Sequence, residues 1–288
     1  MILFLPVKME QKKFKGSSNY VASLELMNSV NIAIALEKPL LLKGEPGTGK
    51  TMLAEAISEA LGKRLITWSI KSTTKAQEGL YVYDTVQRLY DSQFGEEGVD
   101  DIGKYIKLGK LGEAFSAEEQ VVLLIDEIDK ADLEFPNDLL WELDKMEFFI
   151  NETKEVVKAK TRPIVIITSN AEKELPDAFL RRCVFHYIDF PDKGKMKEII
   201  DVHYPDIDEV LVERAMKAFY KIRELDDIQK KPSTSELIDW IQALITSGVD
   251  VGKIVEEMPY PGVLLKKNED LDTLKAEWKT EEPEGSAN

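Results

Sequence analysis

One octapeptide constrains this chain more than any other feature. Gly44-Glu45-Pro46-Gly47-Thr48-Gly49-Lys50-Thr51 has the spacing G-x-x-x-x-G-K-[ST]. It follows the apolar run Leu40-Leu41-Leu42 and opens a stretch of helical spacing over residues 51–61, with Gly62 as its stop signal. A strand, a glycine-rich turn and a helix in that order make a cradle for phosphate. The glycines let backbone N–H groups converge, and the helix N-terminus adds positive potential. The pattern sets Lys50 against the β and γ phosphates of a nucleotide and the Thr51 hydroxyl on Mg²⁺. Glu45 to Thr51, with Met52 in the first helical turn, are the candidate ATP-binding residues.

Such a cradle needs an acidic partner at the end of a neighbouring strand. Residues 121–125 are five apolar residues closed by Asp126-Glu127. Asp126 would hold Mg²⁺, mostly through water, and Glu127 would polarise the attacking water. Residues 164–168 form another buried run, ending in Thr168-Ser169-Asn170. A side-chain amide both donates and accepts, so Asn170 is the candidate to place that water between Glu127 and the γ-phosphate. Arg181-Arg182 end a short helical stretch before a further apolar run. In oligomeric NTPases an arginine at such an edge reaches a neighbour's γ-phosphate; which of the two does so is left open.

With residues 64–70 and 184–190 the chain has five apolar runs separated by helical patterns, which is the parallel α/β class. After Phe190-Pro191 only helical stretches follow: residues 193–203, 207–225, 233–246 and a short one near 253–258. Ser233 and Glu236 form a capping box at the start of the third. The expected organisation is an arm or linker over residues 1–19, an α/β nucleotide-binding domain over 20–191, an all-helical domain over 192–265 and a C-terminal tail over 266–288, polar and frayed after Leu274. Within the α/β domain, 76 residues separate Lys50 from Asp126, more than one helix, one strand and short loops require. Tyr81 to Tyr90 reads as a hairpin, residues 91–101 as a solvated acidic loop, and residues 148–157 as a second hairpin with its turn near Asn151–Lys154.

Composition narrows the partners. Lys and Arg number 38 against 53 Asp and Glu, a net charge of −15, which disfavours nucleic acid and anionic membrane as partners. One cysteine, Cys183, excludes an internal disulfide framework, and with two histidines it cannot build a zinc site of the usual ligands. No apolar run approaches the ~20 residues of a membrane span. The expectation is a soluble, cytoplasmic protein.

The octapeptide, Asp126-Glu127-Ile128-Asp129-Lys130-Ala131, Thr168-Ser169-Asn170 and Arg181-Arg182, in this order and followed by a helical lid, resemble the AAA+ ATPases. Tyr20-Val21-Ala22 and Gly79-Leu80-Tyr81-Val82-Tyr83-Asp84 carry a closer likeness to the MoxR group. The resemblance covers roughly residues 18–265. It implies a P-loop NTPase three-layer αβα core with a five-stranded parallel sheet in the order 5-1-4-3-2, and nucleotide bound between that core and the lid. It also implies a ring, usually a hexamer, with Tyr20 and Val21 near the adenine. An insert in the second helix, residues 74–112, would project toward the ring axis and touch the client, and a hairpin at 147–160 would precede the Asn-bearing strand. The group often carries an arginine at the start of the third lid helix. Here that position is Ser235, with Lys230 and Lys231 as the nearby cations. The function so implied is Mg²⁺-dependent ATP hydrolysis by a ring that remodels, assembles or matures a client protein, with a von Willebrand factor A domain protein as partner. The alternatives are a DNA-directed AAA+ motor, opposed by the charge and by the lack of a DNA-binding module, and a slow-turnover, nucleotide-gated scaffold.

Overall fold

The computed structural model describes residues 12–95, 98–170 and 172–278. They divide into two compact units, one of residues up to Gly44 together with Gly49–Ile188, the other of Glu45–Thr48 together with residues from Asp189 onward.

In chain order the first unit contains α1 (Leu24–Leu36), β1 (Leu40–Gly44), α2 (Lys50–Leu61), β2 (Leu65–Ser69), α3 (Ala76–Leu80), β3 (Tyr81–Tyr83), α4 (Thr85–Phe94), β4 (Ile106–Leu108), α5 (Lys110–Phe115) and β5 (Val122–Asp126). Then come α6 (Phe135–Asp138), α7 (Leu140–Lys145), β6 (Glu147–Ile150), β7 (Glu155–Lys158), β8 (Ile164–Ser169), α8 (Asp177–Leu180) and β9 (Val184–Ile188). Five strands pair in parallel in the order β2-β5-β8-β1-β9. Counted among themselves these five run 2-3-4-1-5, the expected 5-1-4-3-2 read from the other edge. The labels differ because two separate antiparallel ribbons, β3–β4 and β6–β7, intervene.

The strands read as continuous apolar runs because both faces of the sheet are covered. Leu40, Leu42, Val122, Leu124, Ile164 and Ile166 pack with Leu26 and Val30 of α1 and Leu53 and Ile57 of α2. Their alternates Leu41, Leu123, Ile125, Val165 and Ile167 pack with Leu80, Leu111, Phe115, Leu143 and Phe179 on the opposite face. This doubly covered sheet is the αβα core. β1, β5 and β8 run side by side in parallel register and so deliver Gly44, Asp126 and Ser169 to one edge, the carboxyl ends of the strands where α/β sheets bind ligands.

Three local expectations are corrected. The segment 81–90 is not a hairpin. Asp84 accepts a hydrogen bond from the Gln87 N–H at 2.9 Å and caps α4, while Val86, Leu89 and Tyr90 recur at helical spacing, so β3 pairs instead with β4. The acidic stretch 91–101 begins in that helix, and Asp91 accepts the Tyr105 hydroxyl at 2.9 Å; Glu96 and Glu97 lie outside the described residues. Of the expected arm, residues 1–11 lie outside the described residues, and Phe14 is buried with its backbone held on both sides by the Asn31 side chain at 2.9 Å.

The second unit contains α9 (Lys193–His203), α10 (Glu209–Glu224), α11 (Thr234–Ser247), α12 (Ile254–Glu257), α13 (Pro261–Leu264) and α14 (Asn268–Trp278). Its core joins Met196, Phe219, Ile222, Leu237, Trp240 and Ile241. Helical packing runs past the expected boundary at 265, through α14 into the expected tail, whose residues 279–288 lie outside the described residues. Leu274 of α14 is buried, Asp270 accepts the Gln229 and Lys230 N–H groups, and the Trp278 indole donates to the Val255 carbonyl. No helix among the described residues is long and apolar enough to cross a membrane.

Candidate functional site

Gly44 ends β1 and Lys50 begins α2, so the turn between them spans residues 45–49. Gly47 and Gly49 have φ of 76° and 83°, a backbone region that residues with a Cβ rarely enter. A Cβ on Gly49 would stand 3.2 Å from the Tyr20 ring, which leaves that ring directly against the turn. Burial pushes the Tyr20 phenol well above its ordinary pKa, so it stays neutral. The Thr48 hydroxyl donates to the Glu45 carbonyl at 2.9 Å and tightens the loop. Lys50 is only 6% exposed, and its ammonium donates to the Gly44 carbonyl at 2.9 Å. A buried cation at the start of the helix that follows a glycine-rich turn is a donor that a chain of phosphates satisfies. Thr51 and Met52 are exposed in the first turn of α2, and Val21 is half-buried next to Tyr20.

Opposite the turn, one hydrogen-bond chain links three elements. Asp126 Oδ1 accepts from the Thr51 hydroxyl at 3.0 Å and from the Thr168 hydroxyl at 2.6 Å, and Thr168 in turn accepts the Glu127 N–H at 2.8 Å. The Asn170 amide donates to Glu127 Oε1 at 3.0 Å. Thr51, Asp126, Glu127 and Asn170 are thus brought together by side-by-side strands. A hydroxyl and a single carboxylate side by side suit Mg²⁺, which keeps several waters and takes few protein ligands. Among the described residues no cluster of three or more His, Cys, Asp or Glu could cage a metal by itself.

Sequence reasoning missed several contributors. Asp129, 2% exposed, accepts the N–H groups of Asn170 at 3.3 Å and Glu172 at 2.9 Å, and so fixes the loop that carries Asn170. The Lys130 ammonium donates to Glu127 Oε2 at 2.5 Å, and the carboxylate beside it holds Lys130 above the ordinary lysine pKa. Both residues stood in the quoted Asp126 to Ala131 phrase, but without a role, because their partners are a neighbouring strand end and a side chain three residues back. Within the second unit, the Arg223 guanidinium stacks over the Phe190 ring at 3.4 Å and donates to the Pro232 carbonyl at 2.6 Å and to the Glu45 carboxylate at 2.8 Å. It stands on α10, ahead of the α11 start where the resemblance implies an arginine and Ser235 stands; of the two nearby lysines, Lys230 is paired with Glu236 at 2.8 Å.

Arg181 and Arg182 take no part in the Thr51 to Asn170 chain. Arg182 is tied down, donating to the Asp144 carboxylate and to the Ala178 carbonyl, each at 2.7 Å. Arg181 is exposed, and its side chain makes no hydrogen bond or ion pair among the described residues. Beside them, burial pushes the Cys183 thiol up to about 12.

Known proteins place this geometry. The family described as AAA domain (dynein-related subfamily) matches residues 39–183, just over half of the chain. An uncharacterised protein of Staphylococcus saprophyticus is 28% identical over 254 residues, covering 85% of this chain and 88% of that protein. YojN of Bacillus subtilis, also uncharacterised, is 29% identical over 216 residues, or 73% of this chain and 67% of YojN. Midasin of Dictyostelium discoideum is 28% identical over 187 residues, which are 61% of this chain and 3% of midasin. The chain belongs to the AAA domain family, in its dynein-related subfamily, and hence to the nucleotide-hydrolysing AAA+ ATPases.

Proposed function

We propose that this chain is a MoxR-like AAA+ protein that hydrolyses ATP in a homo-oligomeric ring, a hexamer, and uses the cycle to remodel, assemble or mature a client protein. The observation that carries the reading is the hydrogen-bond chain from Thr51 through Asp126 and Thr168 to Glu127 and Asn170, beside the buried Lys50. Residues 45–51 bind the phosphates, Lys50 offsets their charge, and Tyr20 and Val21 flank the base. Thr51 and Asp126 hold Mg²⁺, which neutralises charge on the β and γ phosphates when bound. Glu127 takes the proton of the attacking water and Asn170 orients that water. Arg181, rather than the tethered Arg182, reaches the neighbouring subunit's γ-phosphate.

The client contact is assigned to the insert within residues 74–112. Val86, Leu89, Tyr90 and Phe94 of α4 are all at least 56% exposed, an apolar row that no core claims and that fits a polypeptide client. The von Willebrand factor A partner rests on the MoxR likeness. The test is nucleotide binding and phosphate release by two variants. Lys50→Ala is expected to lose ATP binding, and Glu127→Gln to bind ATP without hydrolysing it; full turnover by Glu127→Gln overturns the assignment.

A further inference from the structure

We propose that an open cavity between the insert and the turn of the β6–β7 ribbon binds a lysine or arginine side chain of the client, an inference that rests on the insert being the client contact. The cavity has a volume of about 360 Å³ and lies against Gln77 and Glu78 of α3, Tyr81 and Tyr83 of β3, and Asn151 and Glu152 of the turn. Carboxylates, side-chain amides and phenols line it, and no basic side chain does. Glu152 Oε2 is shut off from water and has no hydrogen-bond partner, so that carboxylate is incompletely hydrated and its charge is open to compensation. Neither Glu78 nor Glu152 has an ion-pair partner among the described residues. The cations around them are engaged elsewhere: Lys107 on Asp84 at 2.7 Å, Lys158 on Glu147 at 3.2 Å, Arg88 on the Tyr83 hydroxyl at 2.6 Å, and Lys154 over the Phe149 ring at 5.9 Å.

The walls are built without a ligand. The Tyr81 hydroxyl accepts the Asn151 N–H at 3.0 Å, and its ring stacks on Phe148 with centroids 6.1 Å apart, which ties the turn to β3 across 70 residues of chain. A Cβ on Gly109 would stand 2.1 Å from the Glu78 carbonyl oxygen, so α3 is held against the link between β4 and α5. Carboxylates beside tyrosine rings suit an ammonium or a guanidinium, whose N–H groups bond to oxygen while the charge rests on a ring face. A metal ion fits less well. Two carboxylates fall short of the oxygen set that Ca²⁺ takes, and no cluster of three or more His, Cys, Asp or Glu could hold one among the described residues. Tyr83 is separated from α4 by Asp84 alone, so the cavity lies toward the N-terminal end of the exposed row Val86, Leu89, Tyr90 and Phe94. The partner is a polypeptide segment that carries a basic residue next to apolar ones.

The test is fluorescence anisotropy with the full chain and two labelled peptides. One carries an arginine flanked by leucine and phenylalanine; the other replaces that arginine with citrulline, which keeps its shape without its charge. The arginine peptide is expected to bind about ten-fold more tightly, and the gap to close in the double variant Glu78→Gln, Glu152→Gln and to narrow as salt rises. The exchange of peptides leaves the protein untouched, so it decides the matter even where the double variant folds poorly. Equal affinity for the two peptides, no binding of either, or displacement of the arginine peptide by millimolar Ca²⁺ at constant ionic strength overturns the proposal. Failure of the underlying reading has a different signature: the arginine peptide binds with the same dependence on Glu78 and Glu152, yet leaves ATP hydrolysis unchanged and is indifferent to Leu89→Ser and Phe94→Ser.

Discussion

Asp129 sits at the residue scale of this protein much as a keystone sits in an arch. It touches no nucleotide phosphate in the proposed site, yet its buried carboxylate accepts the backbone N–H of Asn170 and of Glu172. Asp129→Ala leaves both donors without their partner. The expected loss is about 1–3 kcal/mol of unfolding free energy, read by urea denaturation. The displaced Asn170 is expected to lower kcat about ten- to a hundred-fold at near-wild-type ATP affinity. Lys50, Thr51, Asp126, Glu127 and Asn170 were legible in the sequence because each stands at a fixed step after an apolar run, where the chain leaves a buried strand. Asp129, Thr168 and Arg223 were not. Their chemistry depends on which backbone groups lie across the β5–β8 pairing or against α10, and spacing along one strand carries no such information.

Among the elements, α4 is the one the sequence misrepresented. Its residues alternate just enough to read as a strand, and the decisive contact is local, the Asp84 carboxylate on the Gln87 N–H. The glycines near the insert carried more information than their number implied. A Cβ on Gly112 would lie 2.0 Å from the Leu80 carbonyl oxygen, and one on Gly79 would lie 2.1 Å from the Trp68 ring, so α5 approaches α3, and α3 approaches β2, through missing side chains. Gly112→Ala is therefore expected to destabilise the first unit by about 1–3 kcal/mol despite the better helix propensity of alanine, as measured by chemical denaturation. The capping box of α11 was legible in full, since Ser233 and Glu236 carry it within four residues. Burial acts to raise the pKa of Glu236, but the hydrogen bonds from Lys230 and from Ser233 outweigh it, and the net shift is downward. A carboxylate depressed in the folded state stabilises it above its unfolded pKa and loses that contribution as the pH falls through its folded one. The wild-type stability is thus expected to drop below about pH 4, and Glu236→Gln should flatten that part of the pH–stability curve.

For the whole molecule, the proposed ring makes Arg181 and Glu127 work in different copies of the chain. Arg181→Ala is expected to bind ATP but to lose turnover about a thousandfold or more. Mixing it with Glu127→Gln should recover part of the activity, because a site with an intact Glu127 then meets an intact Arg181 from its neighbour. No recovery, in rings shown to contain both variants, would place the arginine in its own subunit's site. The net charge of −15 belongs to this scale too. Copies of a strongly acidic chain repel at low ionic strength, so the ring is expected to assemble more readily as salt screens that repulsion, which sedimentation across a salt series would read. Cys183, half-buried and with its thiol pushed up to about 12, has one further consequence at this scale. A thiol pushed up in this way stays protonated at neutral pH and is a weak nucleophile. The native chain is therefore its own blank for maleimide chemistry, and a cysteine introduced on α4 would put one dye per copy at the proposed client contact without any other substitution.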